Sequence, residues 1–465
     1  MHYDTIIIGA GMSGLAAGIR LAHYEKRVCI LERHTTIGGL NSFYRLGGRN
    51  YDVGLHAVTN YTPKGTRRGP LARLLRQLRF KWDEFALAPQ IGSRIAFPDV
   101  NLRFSNDAAL LEEEIRREFP DQIDNFRTLV EKLITYEDLG GEATNLSARE
   151  VVSETITDPL LVEMLFCPLL YYGGPREHDI DFAQFSIMMR SIFLEGLSRP
   201  FAGVRLLLKK LTQRFKQLGG ELRLRAGVSE IVDHHGRASG VRLDDGNELT
   251  ANNVLSSAGW VETMRMCGSP PKVQREPGKL SFTETISVLD RQPRDMGHDE
   301  TIVFFNDCPK FHWKKPDELV DLRSGVICSP NNFRYDTDTD EGVMRITSLA
   351  DFDRWSELDT EAYGQQKLVW FDRISESAVR FVPDFRRAVV DTDMFTPTTI
   401  RRFTGHDNGA VYGAPIKQFD GKTHLSHLYL CGTDQGMVGI IGAIVSGITI
   451  ANRYLLTDSP VGTSA

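Results

Sequence analysis

Cysteine is sparse and unpatterned. The six, Cys29, Cys167, Cys267, Cys308, Cys328 and Cys431, are scattered over 465 residues with no C-x-x-C pair. That leaves no framework for a zinc site or for a set of disulfides. An excess of positive charge is missing as well: 55 Lys and Arg against 61 Asp and Glu give a net charge of -6, so nothing favours nucleic acid as a partner. Long apolar runs are also lacking. The longest, Gly436–Ala451, is short for a membrane span and carries glycines, a Ser and a Thr, and it reads as a buried helix. Residues Met1–Gly14 have no basic leader region, and the apolar run Thr5–Ile8 ends in glycines. No secretory signal is read there, and a reducing cytoplasm is the expected compartment.

What is present is an ordinary globular composition, 41% hydrophobic and 25% charged, on a chain long enough for a large core and more than one domain. Its most informative part comes first. Tyr3–Ile8 reads as a buried strand, followed by Gly9-Ala10-Gly11-Met12-Ser13-Gly14 and a helical pattern with Leu15, Ile19 and Ala22 on one face. A second strand, Arg27–Leu31, ends at Glu32. The glycines of the G-x-G-x-x-G serve different ends. Gly9 makes the tight turn, Gly11 allows close approach of a pyrophosphate, and Gly14 lets the helix pack on the strand. The helix start, Met12 and Ser13, offers N–H groups and a positive dipole end to phosphates. Glu32 lies where a carboxylate can accept hydrogen bonds from ribose hydroxyls, with Arg33 beside it. A lone glycine motif is weak evidence, but here the strand, helix and acid accompany it. NAD and FAD are not separated by this unit alone.

The next residues separate them. Gly38-Gly39-Leu40-Asn41-Ser42 is a second glycine turn, followed by Tyr51-Asp52-Val53-Gly54-Leu55-His56. Glu32…Gly38-Gly39…Asp52-x-Gly54 resembles the FAD-binding start of the amine oxidase and phytoene desaturase superfamily. Near the other end, Leu428–Asp434 reads as a strand and polar turn, and Gly436-Met437-Val438-Gly439 leads into an apolar helix, Ile440–Leu455. This is similar to the closing flavin motif of that superfamily. It implies that Gly432, Thr433 and Asp434 meet the ribityl or pyrophosphate region, and that Gly439 and Ile440 present backbone N–H groups to the flavin. Asp434 stands where amine oxidases commonly have Glu. Between these ends, Leu206–Leu218 reads as a helix stopped by Gly219-Gly220. Strands are read at Glu221–Arg225 and Gly227–Val232, with a hairpin of Arg237–Leu243 and Glu248–Ala251 about Asp244-Asp245-Gly246. A further strand, Asn253–Ser257, runs into Ala258-Gly259. This segment resembles the middle FAD segment of the superfamily, in which the position of Val228 contacts adenine through its backbone.

The resemblance covers the whole chain in three ordered segments and implies FAD as cofactor. The implied fold is α/β: a Rossmann-like, discontinuous FAD-binding domain of the glutathione reductase type, with an inserted α+β substrate domain. The expected boundaries are 1–88, 201–271 and 395–465 for FAD, and 89–200 with 272–394 for substrate. Three further segments, Thr396–Pro415, Leu169–Pro175 and Gly196–Gly203, resemble carotenoid isomerases, phytoene desaturases and retinol saturases. That branch implies desaturation, saturation or cis–trans isomerisation of C=C bonds in a hydrophobic isoprenoid. Two alternatives stay open on the same scaffold: a flavin amine oxidase, and a non-enzymatic isoprenoid carrier of the GDP dissociation inhibitor type.

His56 is the polar residue singled out for catalysis, as an acid or base or as a group that polarises the flavin. A loop histidine bonded to backbone fits the same residues. Asp52 reads as structural, and Arg401 and Arg402 either hold phosphate or, as is usual for adjacent arginines, are solvated. Lys64–Lys81 holds seven basic residues and no acid, and Leu71, Leu74, Leu75 and Leu78 recur at helical spacing. Two readings are open for 64–81: a basic helix lying on an anionic inner membrane face, or a helix packing its leucines inward. Phe182–Phe193, rich in Phe and Met, reads either as the lining of an apolar tunnel or as core.

Overall fold

The computed structural model describes residues 2–136, 146–269 and 271–457. Its first sheet is built around the strand His2–Ile8, all of whose inward residues are buried. Val28–Leu31 runs parallel on one side, with Ile8 opposite Leu31, and Glu221–Arg223 lies beyond it. On the other side Glu248–Ser256 runs parallel, with Ile8 opposite Ser256. That strand then serves two neighbours along one edge. Its first half pairs antiparallel with Arg237–Leu243, whose hairpin partner is Val228–His234, and its second half pairs parallel with Leu428–Leu430. The register brings Leu31, Ile8, Ser256 and Leu430 into one line. The turns that follow them therefore open together at the carboxyl edge of the sheet, the usual place for a ligand in an open parallel sheet.

Glu248–Ser256 is one continuous strand, where two were expected. The expected gap falls at Asn252, a residue type disfavoured in strands. The period-two alternation runs through it: Glu248, Thr250 and Asn252 are exposed while Leu249 and Ala251 are buried.

Three helices cover one face. Met12–Ala22 packs against Gly439–Ile450 and against Val204–Gln217. The contacts are close because small residues lie at them. A Cβ on Gly447 would stand 2.0 Å from the Ser13 carbonyl oxygen, and one on Gly18 would meet Ile30 and Phe215 at 2.8 and 2.9 Å. Leu15, Ile19, Leu211, Phe215, Ile441 and Ile444 join in one buried cluster.

The second sheet runs in the order Val389–Phe395, Ser281–Leu289, Gly342–Ala350, Ser324–Cys328, Ile302–Asn306, Ser93–Phe97, Val100–Phe104. Helices between Ala108 and Met189 stack beside it over a core that includes Phe104, Phe166 and Phe185. Phe182–Met189 packs into that core, with Phe182, Phe185, Met188 and Met189 buried and none of its residues lining the cavity described below, so it is packing and not a tunnel wall.

Pro70–Leu78 is a helix whose Leu71, Leu74, Leu75 and Leu78 are all buried. The inward-packed reading is the one realised, and no leucine is left for lipid. Leu71→Ala, at 0% exposure, should cost about 2–5 kcal/mol, read as a lowered midpoint in urea unfolding. Among the described residues no helix is long and apolar enough to cross a membrane.

Candidate active site: a cleft from the glycine turns to an aromatic pocket

The turns at the sheet edge open onto one cavity of about 750 Å³. Its floor takes Gly9, Gly11, Met12 and Ser13 from the first turn, and Glu32 and Arg33 from the end of the next strand. Gly38, Gly39, Leu40 and Asn41 form a wall, as do Val228 and Ala258. The C-terminal turn adds Gly432, Thr433, Gly439 and Ile440. Residues 9 and 439 thus border the same space although they are 430 positions apart in the chain.

The Glu32 carboxylate is held by the Ala10 and His34 backbone N–H groups, each at 3.0 Å. Both oxygens are fixed, and each keeps lone pairs for a ligand hydroxyl. The helices Met12–Ala22 and Gly439–Ile450 both begin at the cavity. Their first-turn N–H groups have no acceptor within the helix, and their positive dipole ends suit an anion. At Gly11 the nearest atom to an added Cβ is the Gly38 carbonyl oxygen, 4.0 Å away: the missing side chain leaves a groove in which a dinucleotide backbone can lie. These donors, this acid and this groove fit FAD.

Three expected contacts fall elsewhere. Asp434 does not line the cavity. It is 2% exposed, and its oxygens accept from the Trp260 and Ala414 N–H groups at 2.6 and 2.8 Å and pair with the buried Lys417 at 3.3 Å. Asp434 thereby staples three loops together; burial pushes the Lys417 pKa down while Asp434 opposes that shift. Gly259 lies behind the wall, facing Glu262, His406 and Asp434. Gly14 points into the protein, where its Cβ would be 2.2 Å from the Gly9 carbonyl oxygen; it shapes the turn and does not touch the cavity.

At the far end the walls change character. Tyr171 and Tyr172 end a helix, Phe282 and Val326 come from the second sheet, and Val411 and Tyr412 come from the segment before the C-terminal strand. Tyr171 bonds Ser324 through its hydroxyl at 2.9 Å, and Tyr412 donates to the Tyr171 carbonyl. Among the described residues the buried Tyr172 hydroxyl has no hydrogen-bond partner, a donor left unused beside this end.

His56 lines the cavity between the two ends. Its Nε2 lies 3.0 Å from Thr347 Oγ1 and 3.4 Å from Glu284 Oε2. Glu284 in turn binds Arg345, and both are 3% exposed. Arg345 also donates to the Leu55 and Asp52 carbonyls, at 2.7 and 3.1 Å, so it fixes the loop that carries His56. Asp52 is structural: its carboxylate pairs with Arg199 at 2.6 Å. Burial pushes the His56 pKa down, against Glu284. Burial pushes Glu284 up, but Arg345 and His56 outweigh it and hold the acid at about 2. The pair is therefore a carboxylate beside a neutral imidazole.

Glu284, Thr347, Arg345 and Phe282 had no part in the sequence reading, whereas Tyr171, Tyr172 and Tyr412 lie in Leu169–Pro175 and Thr396–Pro415, noted there for their resemblance alone. A faint signal existed. Glu284 sits in a nine-residue strand that is buried throughout, and an unpaired carboxylate there would be prohibitive, so a cation had to be near. Glu284 and Thr347 are direct cross-strand partners, and Arg345 lies two residues along on the same face. His406 was also missed. It lines the cavity beside Glu262, at 3.3 Å; burial opposes its charge, but Glu262 and Asp434 prevail and raise its pKa. Arg401 and Arg402 are exposed and do not line the cavity, which fits the solvated reading and not the phosphate one.

A Rossmann-type parallel sheet with a ribose acid, two helix starts at one cleft and a second sheet closing its end define a flavoprotein of the two-part oxidoreductase class. The family model for flavin containing amine oxidoreductases matches residues 12–455, and the chain belongs to that family; its cofactor is FAD. It is similar to chloroplastic prolycopene isomerase of Arabidopsis thaliana, 22% identical over 97% of this chain and 82% of that protein. It is also similar to the lycopene-forming phytoene desaturase of Pseudescherichia vulneris, 27% identical over 97% of this chain and 99% of the other. In fold it resembles an oxidoreductase from Methanosarcina mazei, with a TM-score of 0.65 at 16% identity, over 97% and 100% of the two chains.

Proposed function

We propose that this protein is an FAD-dependent oxidoreductase acting on C=C bonds of a hydrophobic isoprenoid or polyene, by desaturation, saturation or cis–trans isomerisation. The observation that carries this reading is the unbroken cavity, which starts at the Glu32 carboxylate and ends among Tyr171, Tyr172, Phe282 and Tyr412. The aromatic end is suited to an apolar chain. The carboxylate near it, Glu284, is committed to Arg345 and so is poorly placed to receive an ammonium group. The similarity to a prolycopene isomerase and a phytoene desaturase supports the same substrate class.

Division of labour follows. Segments 1–88, 201–271 and 395–465 hold the cofactor, and 89–200 with 272–394 shape the substrate end. Glu32 takes ribose hydroxyls, the Gly11–Ser13 backbone takes the pyrophosphate, Val228 lies at the adenine, and the Gly439–Ile440 helix start faces the flavin ring. Bound FAD supplies a two-electron acceptor and donor. The protein's own parts orient the chain, exclude water and hold a proton at His56.

Anaerobic incubation with liposome-embedded polyenes tests the proposal. Loss of flavin absorbance, or a changed isomer pattern on chromatography, is the expected result. Hydrogen peroxide release with simple amines in a parallel aerobic assay, and no action on polyenes, would replace it with amine oxidation. A colourless protein that takes up no FAD would point to a carrier.

Access from a membrane is part of this proposal, in an electrostatic form. Lys64, Arg67, Arg68, Arg73, Arg76, Arg79 and Lys81 are all exposed while the leucines beneath them are buried. Each basic group near an anionic surface adds about 1 kcal/mol. Charge reversal at Arg67, Arg68 and Arg73 should abolish sedimentation with anionic vesicles and leave the unfolding midpoint unchanged; equal sedimentation would rule out this surface as a membrane contact.

A further inference from the structure

We infer that Thr347 and Glu284 lock the His56 imidazole in the tautomer protonated on Nε2, so that Nδ1 is left as the proton acceptor of the cavity. This rests on the functional reading above in one respect only, the use to which the proton is put.

The bonds leave one consistent assignment. Glu284 is tied to Arg345 and ionised, so it can only accept. Thr347 Oγ1 lies 3.1 Å from Glu284 Oε2 and must donate its single proton there. Its oxygen, having no second proton, must accept from His56 Nε2 at 3.0 Å. The His56 proton is therefore on Nε2, and Nδ1 carries a lone pair. Nδ1 makes no hydrogen bond to the described residues, and the imidazole lines the cavity.

The step this permits is a single proton transfer. A C–H bond of the ligand releases its proton to Nδ1, making imidazolium, and its electron pair becomes the new C=C bond as the neighbouring carbon loses a hydride, for which bound FAD would be the acceptor; in the saturation direction both transfers run in reverse. In a dehydrogenation this is the hydrogen that leaves as a proton. Five charged or titratable groups lie around His56. Glu284, on Ser281–Leu289, favours the charged ring, while Arg345, on Gly342–Ala350, and Arg199, on Ser198–Pro200, oppose it. Asp52 offsets Arg199, and Cys328 contacts the His56 carbonyl oxygen as a neutral thiol. Thr347 and Glu284 are positioning residues, and His56 is the group that meets the ligand.

The tautomer can be read without any substrate, by nitrogen NMR of histidine-labelled holoprotein at pH 8, with His56→Gln to assign the signal. The expected wild-type state has Nε2 protonated and Nδ1 bare. Thr347→Ser should keep it. Thr347→Val, which removes the hydroxyl without changing shape or charge, should release the ring into a mixture of tautomers. A wild-type ring protonated on Nδ1, or an even mixture, would overturn the inference, and so would a Thr347→Val spectrum identical to wild type. The wild-type measurement stands even if a variant fails to fold. With a working substrate, Thr347→Val should lower kcat about 100-fold with KM unchanged, and shift the acid limb of the pH profile. Because the NMR result needs no turnover, a wrong substrate class leaves it intact.

Discussion

A Gly14→Ala protein is expected to lose its flavin. The added Cβ would stand 2.2 Å from the Gly9 carbonyl oxygen and 3.3 Å from Ile7 Cγ2, so the helix Met12–Ala22 must lift from its strand. It has little room to do so, because Gly447 packs on the Ser13 carbonyl and Gly18 on Ile30 and Phe215. Lifting the helix start misplaces the N–H groups of Met12 and Ser13 and the dipole behind them. Two lost hydrogen bonds to a charged group amount to about 3 kcal/mol, or roughly 100-fold in affinity. The FAD-to-protein ratio after gel filtration should fall accordingly; a ratio equal to wild type would mean the turn is not the phosphate site.

Arg345→Ala should be among the most destabilising substitutions in the molecule. Removing the guanidinium strands the Glu284 carboxylate at 3% exposure, a type of change that costs about 3–5 kcal/mol. The pH dependence gives this a second signature. In the wild type Glu284 sits at about 2, below its ordinary 4.5. The unfolded chain therefore binds its proton first as pH falls, and the pair's stabilisation, complete above 4.5, is lost between there and about 2. In Arg345→Ala burial acts with less opposition and the acid's pKa should rise. Its penalty should then be largest at neutral pH and shrink on acidification, as measured by urea unfolding at pH 7 and pH 4.5. A deficit that is independent of pH would show that Glu284 is not the group left stranded.

The contrast between these two sites explains what the sequence discloses. The first turn is a local object: strand, glycines, helix and acid lie within 32 residues, and each glycine answers a steric demand visible in the spacing. The C-terminal turn, Val228 and Ala258 are legible through the family resemblance of their segments, and all of them border the cavity. The His56 cluster is not local. Glu284 and Thr347 are 63 positions apart and meet only through the register of two strands, and no motif spacing encodes a register. Asp434 shows the opposite failure. An acid in a glycine turn looks like a ligand contact, but Lys417 and two backbone donors had already claimed it. The leucines of Pro70–Leu78 gave a true period and an undetermined partner, since an apolar stripe fits a core or a bilayer equally until its neighbours are known.

One cavity must seat the flavin at one end and an oily chain at the other. Titrating the oxidised holoprotein with a polyene in detergent, while following the visible flavin bands, tests this directly. A saturable shift or bleaching of those bands, lost in a Phe282→Asp variant that still retains FAD, is the predicted result. Flavin bands that stay unchanged with every polyene yet respond to a small amine would contradict it.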